Sequence, residues 1–198
     1  MEIWIATGNK GKLDEFRLGL KPLSDVQIFS QSDLKSFSPM PENGETFVAN
    51  ARIKAKSLKA MKPNVWIIAD DSGLEVQGLN NLPGIHSARY AGPHARDSEN
   101  VAKLLKMMQI RNVSPRSAQF KCVLVIYNPE GVEFIFEGEL RGSIALKPAG
   151  LMGFGYDSIF IPDGETKTLA ELGPGYKIQK SHRAVALTAF LEHLKNQG

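Results

Sequence analysis

The residues with the most chemistry in this chain are the neighbouring acids Asp70 and Asp71, in the stretch "WIIADDSGLEV". Trp66, Ile67 and Ile68 read as a buried strand, which places the acids at its C-terminal end, where open α/β sheets usually hold ligands. Two carboxylates set side by side repel unless a cation joins them. Mg²⁺ suits that role, because it takes oxygen ligands and commonly needs only one or two protein carboxylates beside substrate phosphates. The same residues also fit a turn, with one Asp capping Ser72 and Gly73 and the other solvated. A third acid, Glu42, stands in the Pro- and Gly-containing loop "SFSPMPENGET". The helix after that loop carries Asn50 and Lys54, four residues apart and therefore on one face.

Three further candidate segments are legible. "ATGNKGK" sits at a strand-to-helix junction, where Gly8 and Gly11 let backbone amides approach an anion and the helix N-terminus favours negative charge. Asn9, Lys10 and Lys12 would add side-chain donors. Its spacing is neither GxxxxGK[ST] nor GxGxxG, and alone it describes a tight turn with a solvated lysine equally well. "GFGYDSIF" offers Phe154 and Tyr156 as a flat surface for a base and Asp157 as an acceptor for a base N–H, or else core aromatics beside a turn. In "YKIQKSHRAVAL", Ser181 reads as a helix N-cap, so His182 and Arg183 fall in the first turn. Bases there run against the helix dipole and point to an anionic or carbonyl partner; Lys177 lies just upstream.

The elements that must hold these residues follow from periodicity. "EIWIAT" reads as a strand, "NKGKLDEFRLGLK" as a helix with Leu13, Phe16 and Leu20 on one face, and "VQIFS" as a second strand. "ETFVANARIKAKSLKAMK" reads as a long helix ended by "KPN", and "VWIIAD" as a buried strand. A Gly-rich segment follows, then a helix from about Asp97 to Met108, and a hairpin of "AQFKCVLVIY" and "GVEFIFEGELRGSIAL" turning at "NPEG". "SHRAVALTAFLEHLK" closes the chain as a helix. Early alternation of strand and helix with long neighbouring strands later predicts an α/β fold with a mixed sheet, as one domain over residues 1–198.

Composition sets the limits. At 198 residues, 42% hydrophobic and 23% charged, the chain can bury a sizeable core. No apolar run approaches the roughly 18 to 20 residues of a membrane span, and "MEIWIATGNK" lacks a leader pattern, so a cytoplasmic protein without a membrane partner is expected. The one cysteine, Cys122, lies in an apolar strand and reads as a core residue. A net charge of +3, with Lys and Arg scattered, suits a compact anionic ligand and argues against a nucleic-acid surface.

Six segments, "ATGNKGKLDEF", "ENGETFVANARIKA", "IADDSGLEV", "LPGIHSARYAG", "GFGYDSIF" and "KSHRAVAL", resemble in this order the inosine/xanthosine triphosphate pyrophosphatases of the Ham1 or RdgB type, from about Ile3 to Leu194. The resemblance implies an elongated mixed β-sheet with flanking helices, two lobes around a central nucleotide-binding cleft, and a homodimer. It also implies Mg²⁺-dependent hydrolysis of the purine nucleoside triphosphates ITP, dITP and XTP to monophosphate and pyrophosphate. Carried over position by position, Thr7 to Lys12 match the phosphate-binding segment, with Asn9 and Lys12 as contacts. Asp71 matches the proton acceptor and metal ligand, Glu42 a second metal-associated acid, Lys54 a helix lysine near the phosphates, and Ser72 a residue lining the nucleotide. Phe154, Gly155, Tyr156 and Asp157 match the base-binding turn, and Lys177, His182 and Arg183 the remaining nucleotide contacts. Asp70 matches an acid without a settled role. Two departures are Ser158 in place of a usual proline, which touches purine preference rather than the reaction, and Met152 in place of a common glycine. Two rivals are a Maf-like nucleotide pyrophosphatase, which opens with a Ser- and Arg-rich phosphate loop instead, and a nucleotide- or nucleic-acid-binding module without catalysis.

Overall fold

A computed structural model describes residues 1–196. Its elements are β1 (Glu2–Ala6), α1 (Lys10–Gly19), β2 (Gln27–Ser30), α2 (Phe47–Met61), β3 (Trp66–Val76), β4 (Leu82–Pro83), α3 (Asp97–Ile110), β5 (Ser117–Tyr127), β6 (Glu133–Ile144), β7 (Phe160–Pro162), α4 (Leu169–Lys180) and α5 (His182–Lys195). The strands form one mixed seven-stranded sheet in the order β2-β1-β3-β5-β6-β7, with β4 on β3. β1 runs parallel to β2 and β3, whereas β4 and β7 are antiparallel to their neighbours. The mixed α/β architecture expected from the residue pattern is present, and each helix named there forms.

The chain divides into two compact units. The first holds residues 1–71, 122–138 and the segment from Arg183 onward; the second holds 72–121 and 139–182. In the first unit both sheet faces are covered, and the strand residues sort by parity, as the two-residue period of a pleated strand requires. Ile3, Ile5 and Ile68 pack with Phe16 and Leu20 of the α1 region and Leu187 and Phe190 of α5. Trp4, Ala6, Ile67 and Ala69 pack instead with Ala51, Ala55 and Leu58 of α2. Ala51 and Ala55 are fully buried, and their small side chains let α2 lie close on the strands. The second unit has one core, in which Leu74, Val76, Phe120, Ile144 and Phe160 meet Val101, Leu104 and Met108 of α3.

Two expectations are corrected. β3 runs eleven residues rather than stopping at the acids, so Asp70 and Asp71 lie mid-strand. Gly73, which reads as turn chemistry, marks a close approach: a Cβ there would strike the Gly84 carbonyl and come within 2.6 Å of Ser87 Oγ. That hydroxyl accepts from Leu74 N–H at 2.9 Å, so the strand continues. α4 is an element the periodicity does not predict, and Gly173 and Pro174 interrupt it. Gly173 sits at φ +78° inside an otherwise capped helix, with Thr168 and Glu171 forming a capping box.

Candidate active site

Parity along β3 decides what the paired acids do. Asp70 follows Ile68 onto the α1 and α5 face, and Asp71 follows Ile67 and Ala69 onto the α2 face. The two carboxylates therefore face opposite sides of the sheet, and each has its own hydrogen-bond partners.

Asp70 is 1% exposed. It is paired with Lys12 of α1, and Arg183 of α5 donates to it through Nε at 2.8 Å. Arg183 is itself paired with Glu15. Burial alone would push the Asp70 carboxyl upward, but the charges of Arg183 and Lys12 hold it well below the usual carboxylate range. Burial likewise opposes the Arg183 charge, and Asp70 and Glu15 overcome it. The Cys122 thiol donates to Asp70 Oδ2 at 3.1 Å, and burial together with that negative charge pushes it up, away from thiolate reactivity. Cys122 is the buried core residue its context predicts.

Asp71 has different company. Lys54 Nζ of α2 donates to Asp71 Oδ1 at 2.7 Å and to Glu42 Oε2 at 3.2 Å, so one ammonium joins the two acids. Burial pushes the Asp71 carboxyl up, the Lys54 and Lys12 charges oppose this in part, and Glu42 adds to it. Burial would lower the Lys54 ammonium, yet the two carboxylates raise it above its ordinary range. Both directions are consistent, because two acids compete for a single cation. The loop carrying Glu42 is pinned to α2: Gly44 N–H donates to Asn50 Oδ1 at 2.8 Å, and Thr46 caps the helix by accepting from Ala49 N–H at 3.1 Å. A side chain at Gly44 would meet Ala49 Cβ at 2.7 Å, so glycine is required for that contact.

The segment Thr7–Lys12 forms the entry to α1. Thr7 Oγ1 accepts from Asn9 N–H at 3.1 Å, and Asn9 Oδ1 caps the helix by accepting from Lys12 N–H at 3.0 Å. Gly8 and Asn9 are exposed there, and Gly11 lies in the first helical turn. Lys12 reaches the acids, but Lys10 lies along its own helix at 3.1 Å from Asp14, with its side chain 90% exposed. Ser72 is half-buried at the first position of the second unit.

In the second unit the turn Gly153–Asp157 is built around one carboxylate. Asp157 Oδ2 accepts from Phe154 N–H at 3.0 Å and from Lys177 Nζ at 2.6 Å, and the same ammonium lies 4.3 Å from the centre of the Phe154 ring. Gly153, at φ +86°, has no room for a Cβ, which would fall against that carboxylate. His182 stacks on Phe120 at 4.8 Å between ring centroids. Two residues of the expected nucleotide contacts already have partners within the protein. The Tyr156 ring is 3% exposed and belongs to the core, with its hydroxyl donating to the Ser87 carbonyl at 2.9 Å. Arg183 is 1% exposed within the ion network of Asp70, because successive helix residues point about 100° apart and so send it and His182 to different neighbours. The residue pattern had assigned no part to Glu15 or to Asp97, whose carboxylate accepts from Gly155 N–H at 2.6 Å. Glu15 stands three residues after Lys12, the spacing that puts both on one helix face.

Among the described residues, no three of His, Cys, Asp and Glu gather as a metal-binding group. Glu42 and Asp71 form a two-carboxylate donor set, and Asp71 Oδ2 is buried without a hydrogen-bond partner. That set fits a hard cation which completes its shell with water and phosphate oxygens.

The family model for Ham1 matches residues 3–193. The chain belongs to the Ham1 family. Among similar sequences, a dITP/XTP pyrophosphatase of Bdellovibrio bacteriovorus is 62% identical over 195 residues, covering 98% of both chains. Another of Mycobacteroides abscessus is 41% identical, covering 99% of this chain and 96% of that one. Two solved structures resemble the Ham1 fold seen here. The HAM1 protein from Coxiella burnetii matches with a TM-score of 0.88 at 38% identity over 99% of both chains. The Staphylococcus aureus Ham1 protein matches at 0.86 and 40% identity over the whole of both. No helix of this Ham1 chain, among the described residues, is long and apolar enough to cross a membrane.

Proposed function

We propose that this chain hydrolyses ITP, dITP and XTP to the monophosphate and pyrophosphate with Mg²⁺, as a single functional domain that acts in the cytoplasm as a homodimer. The observation that carries the reading is the Lys54-bridged pair Glu42 and Asp71, with one buried Asp71 oxygen unpartnered. Relatives named dITP/XTP pyrophosphatase support the substrate class.

Attack of water on a phosphorus requires a proton acceptor and positive charge against the phosphoryl oxygens and the leaving pyrophosphate. Asp71 takes the proton. Its carboxyl is pushed up by burial, which makes it a stronger base than a solvated aspartate while Lys54 keeps it ionised. Glu42 and Asp71 would hold Mg²⁺, which supplies charge neutralisation when bound. Lys54, Lys12 and the amides at the N-terminus of α1 bind the phosphates. Thr7 and Asn9 fix the shape of that entry loop, and Ser72 lines the nucleotide. In the second unit, the Phe154 ring stacks on the base, and Asp157 with Lys177 presents an acceptor beside a donor. Hypoxanthine and xanthine offer N1–H and O6 to match, whereas adenine reverses both and would leave buried groups unpaired. His182 adds a polar edge near the same residues in sequence.

The test is pyrophosphate release from ITP, XTP, GTP, ATP and dTTP at one sub-saturating concentration, with Mg²⁺ and with EDTA. Fast metal-dependent release from ITP and XTP alone is the expected result. Equal cleavage of all five, orthophosphate as product, or no cleavage would overturn the reading.

A further inference from the structure

The base-binding turn is held from two sides, and only one of them is accounted for by the residues assigned above. From within, Asp157 collects Phe154 N–H and Lys177 Nζ. From without, the amide of Gly155 donates to Asp97 Oδ2 at 2.6 Å. We propose that Asp97 is a positioning residue for purine recognition, fixing the Gly153–Asp157 turn so that the Phe154 ring and the Asp157–Lys177 pair stand ready for the base; this rests on the function proposed above.

An acid in the first turn of a helix usually satisfies the amides of its own helix. Here that work is done by Glu99, whose Oε2 accepts from Arg96 N–H at 2.7 Å. Asp97 is thereby left to reach across to Gly155. Its platform is rigid: Asn100 of the same helix accepts from Ala91 N–H at 2.7 Å and donates to the Ala88 carbonyl at 3.1 Å, and Val101, Leu104 and Met108 are buried in the core. Gly155 is glycine for its backbone, since φ is +61° while a Cβ would meet only open space. That left-handed conformation is part of what turns the amide toward Asp97. Without the Asp97 contact, the outer half of the turn depends on two flexible glycines flanking Phe154.

The experiment uses the full-length protein with Asp97→Ala, which removes the acceptor, and Asp97→Asn, which keeps an oxygen in its place. KM and kcat are measured for ITP and ATP, together with hydrogen–deuterium exchange of the peptide spanning residues 153–157. Asp97→Ala is expected to raise KM for ITP about tenfold with kcat little changed, to narrow the ITP-over-ATP preference, and to speed exchange at the turn; Asp97→Asn should restore most of each. A merely structural role would lower stability without moving the ITP-over-ATP ratio. An unchanged ratio and unchanged exchange in Asp97→Ala, or equal losses in both variants, would overturn the proposal. Wild-type protein that shows the protected turn but releases no pyrophosphate from ITP would instead overturn the functional reading on which it rests, and the two failures are told apart by the exchange data.

Discussion

Asp70 and Asp71 are covalent neighbours with opposite electrostatic situations. Asp71, pushed up by burial and sharing Lys54 with Glu42, is the one suited to accept a proton. Asp71→Asn keeps the size and the contact with Lys54 but removes the base. It is expected to lower kcat by about 10²- to 10⁴-fold while circular dichroism stays native; turnover near that of the wild type would exclude Asp71 as the base. Asp70 is an anchor. Asp70→Asn would leave the Arg183 and Lys12 charges facing a neutral amide in a site that is 1% exposed. Breaking a buried pair from one side costs about 3–5 kcal/mol, so urea unfolding should show a loss of that order, with activity reduced through Lys12. A variant as stable as the wild type would contradict this account of the network.

Local segments deliver these side chains because each is pinned by a specific contact. The Glu42 loop is tied to α2 by Asn50 and Gly44, and the Gly153–Asp157 turn is closed by glycines that no other residue replaces without strain. Gly153→Ala tests the second point. At φ +86°, with the Asp157 carboxylate where the methyl would go, alanine must displace either the backbone or the Asp157–Lys177 pair. The expected cost is more than about 1 kcal/mol of stability, with a larger rise in KM for ITP than fall in kcat, read from thermal unfolding and steady-state kinetics. Alanine accepted without change in either would show that the turn is looser than its hydrogen bonds imply.

Stability against pH belongs to the molecule as a whole. On the acid side, Asp70 has a folded-state pKa below its unfolded one. Its contribution is present above the ordinary carboxylate pKa of about 4 and is lost as pH falls through the depressed folded value. On the alkaline side, burial and the hydrogen bond to Glu133 push Tyr127 up to about 12. Glu133 is in turn held by Arg52 of α2, with Nε at 2.9 Å and a terminal nitrogen at 2.8 Å, so the tyrosine belongs to a link between α2, β5 and β6. Because the folded value lies above the ordinary one of about 10, this contribution is complete below pH 10 and disappears as pH rises through about 12. Urea midpoints across that interval should fall more steeply for the wild type than for Tyr127→Phe. Parallel curves would remove Tyr127 from the alkaline transition.

The identity of the chemical groups was written in the order of residues. Strand and helix periods, the Asn9 cap, the glycines around Phe154 and the scattered positive charge all act over a few neighbouring positions, so a linear reading reaches them. It reached the mixed α/β class, the burial of Cys122, and the segments that hold Glu42, Lys54 and Asp71. What it does not reach is direction. Asp70 and Asp71 are adjacent, yet a pleated strand turns them to opposite faces; His182 and Arg183 are adjacent, yet a helix sends them to different neighbours. Gly73 looked like a turn because glycine has two uses, bending a chain and admitting another backbone, and only the packed Gly84 carbonyl shows which applies. Asp97 carried no signal at all, since a first-turn acid is ordinary until the amide it faces, 58 residues away, is brought to it by folding. Which partner a side chain meets is set by long-range packing, and that information is not stored in the spacing of its neighbours.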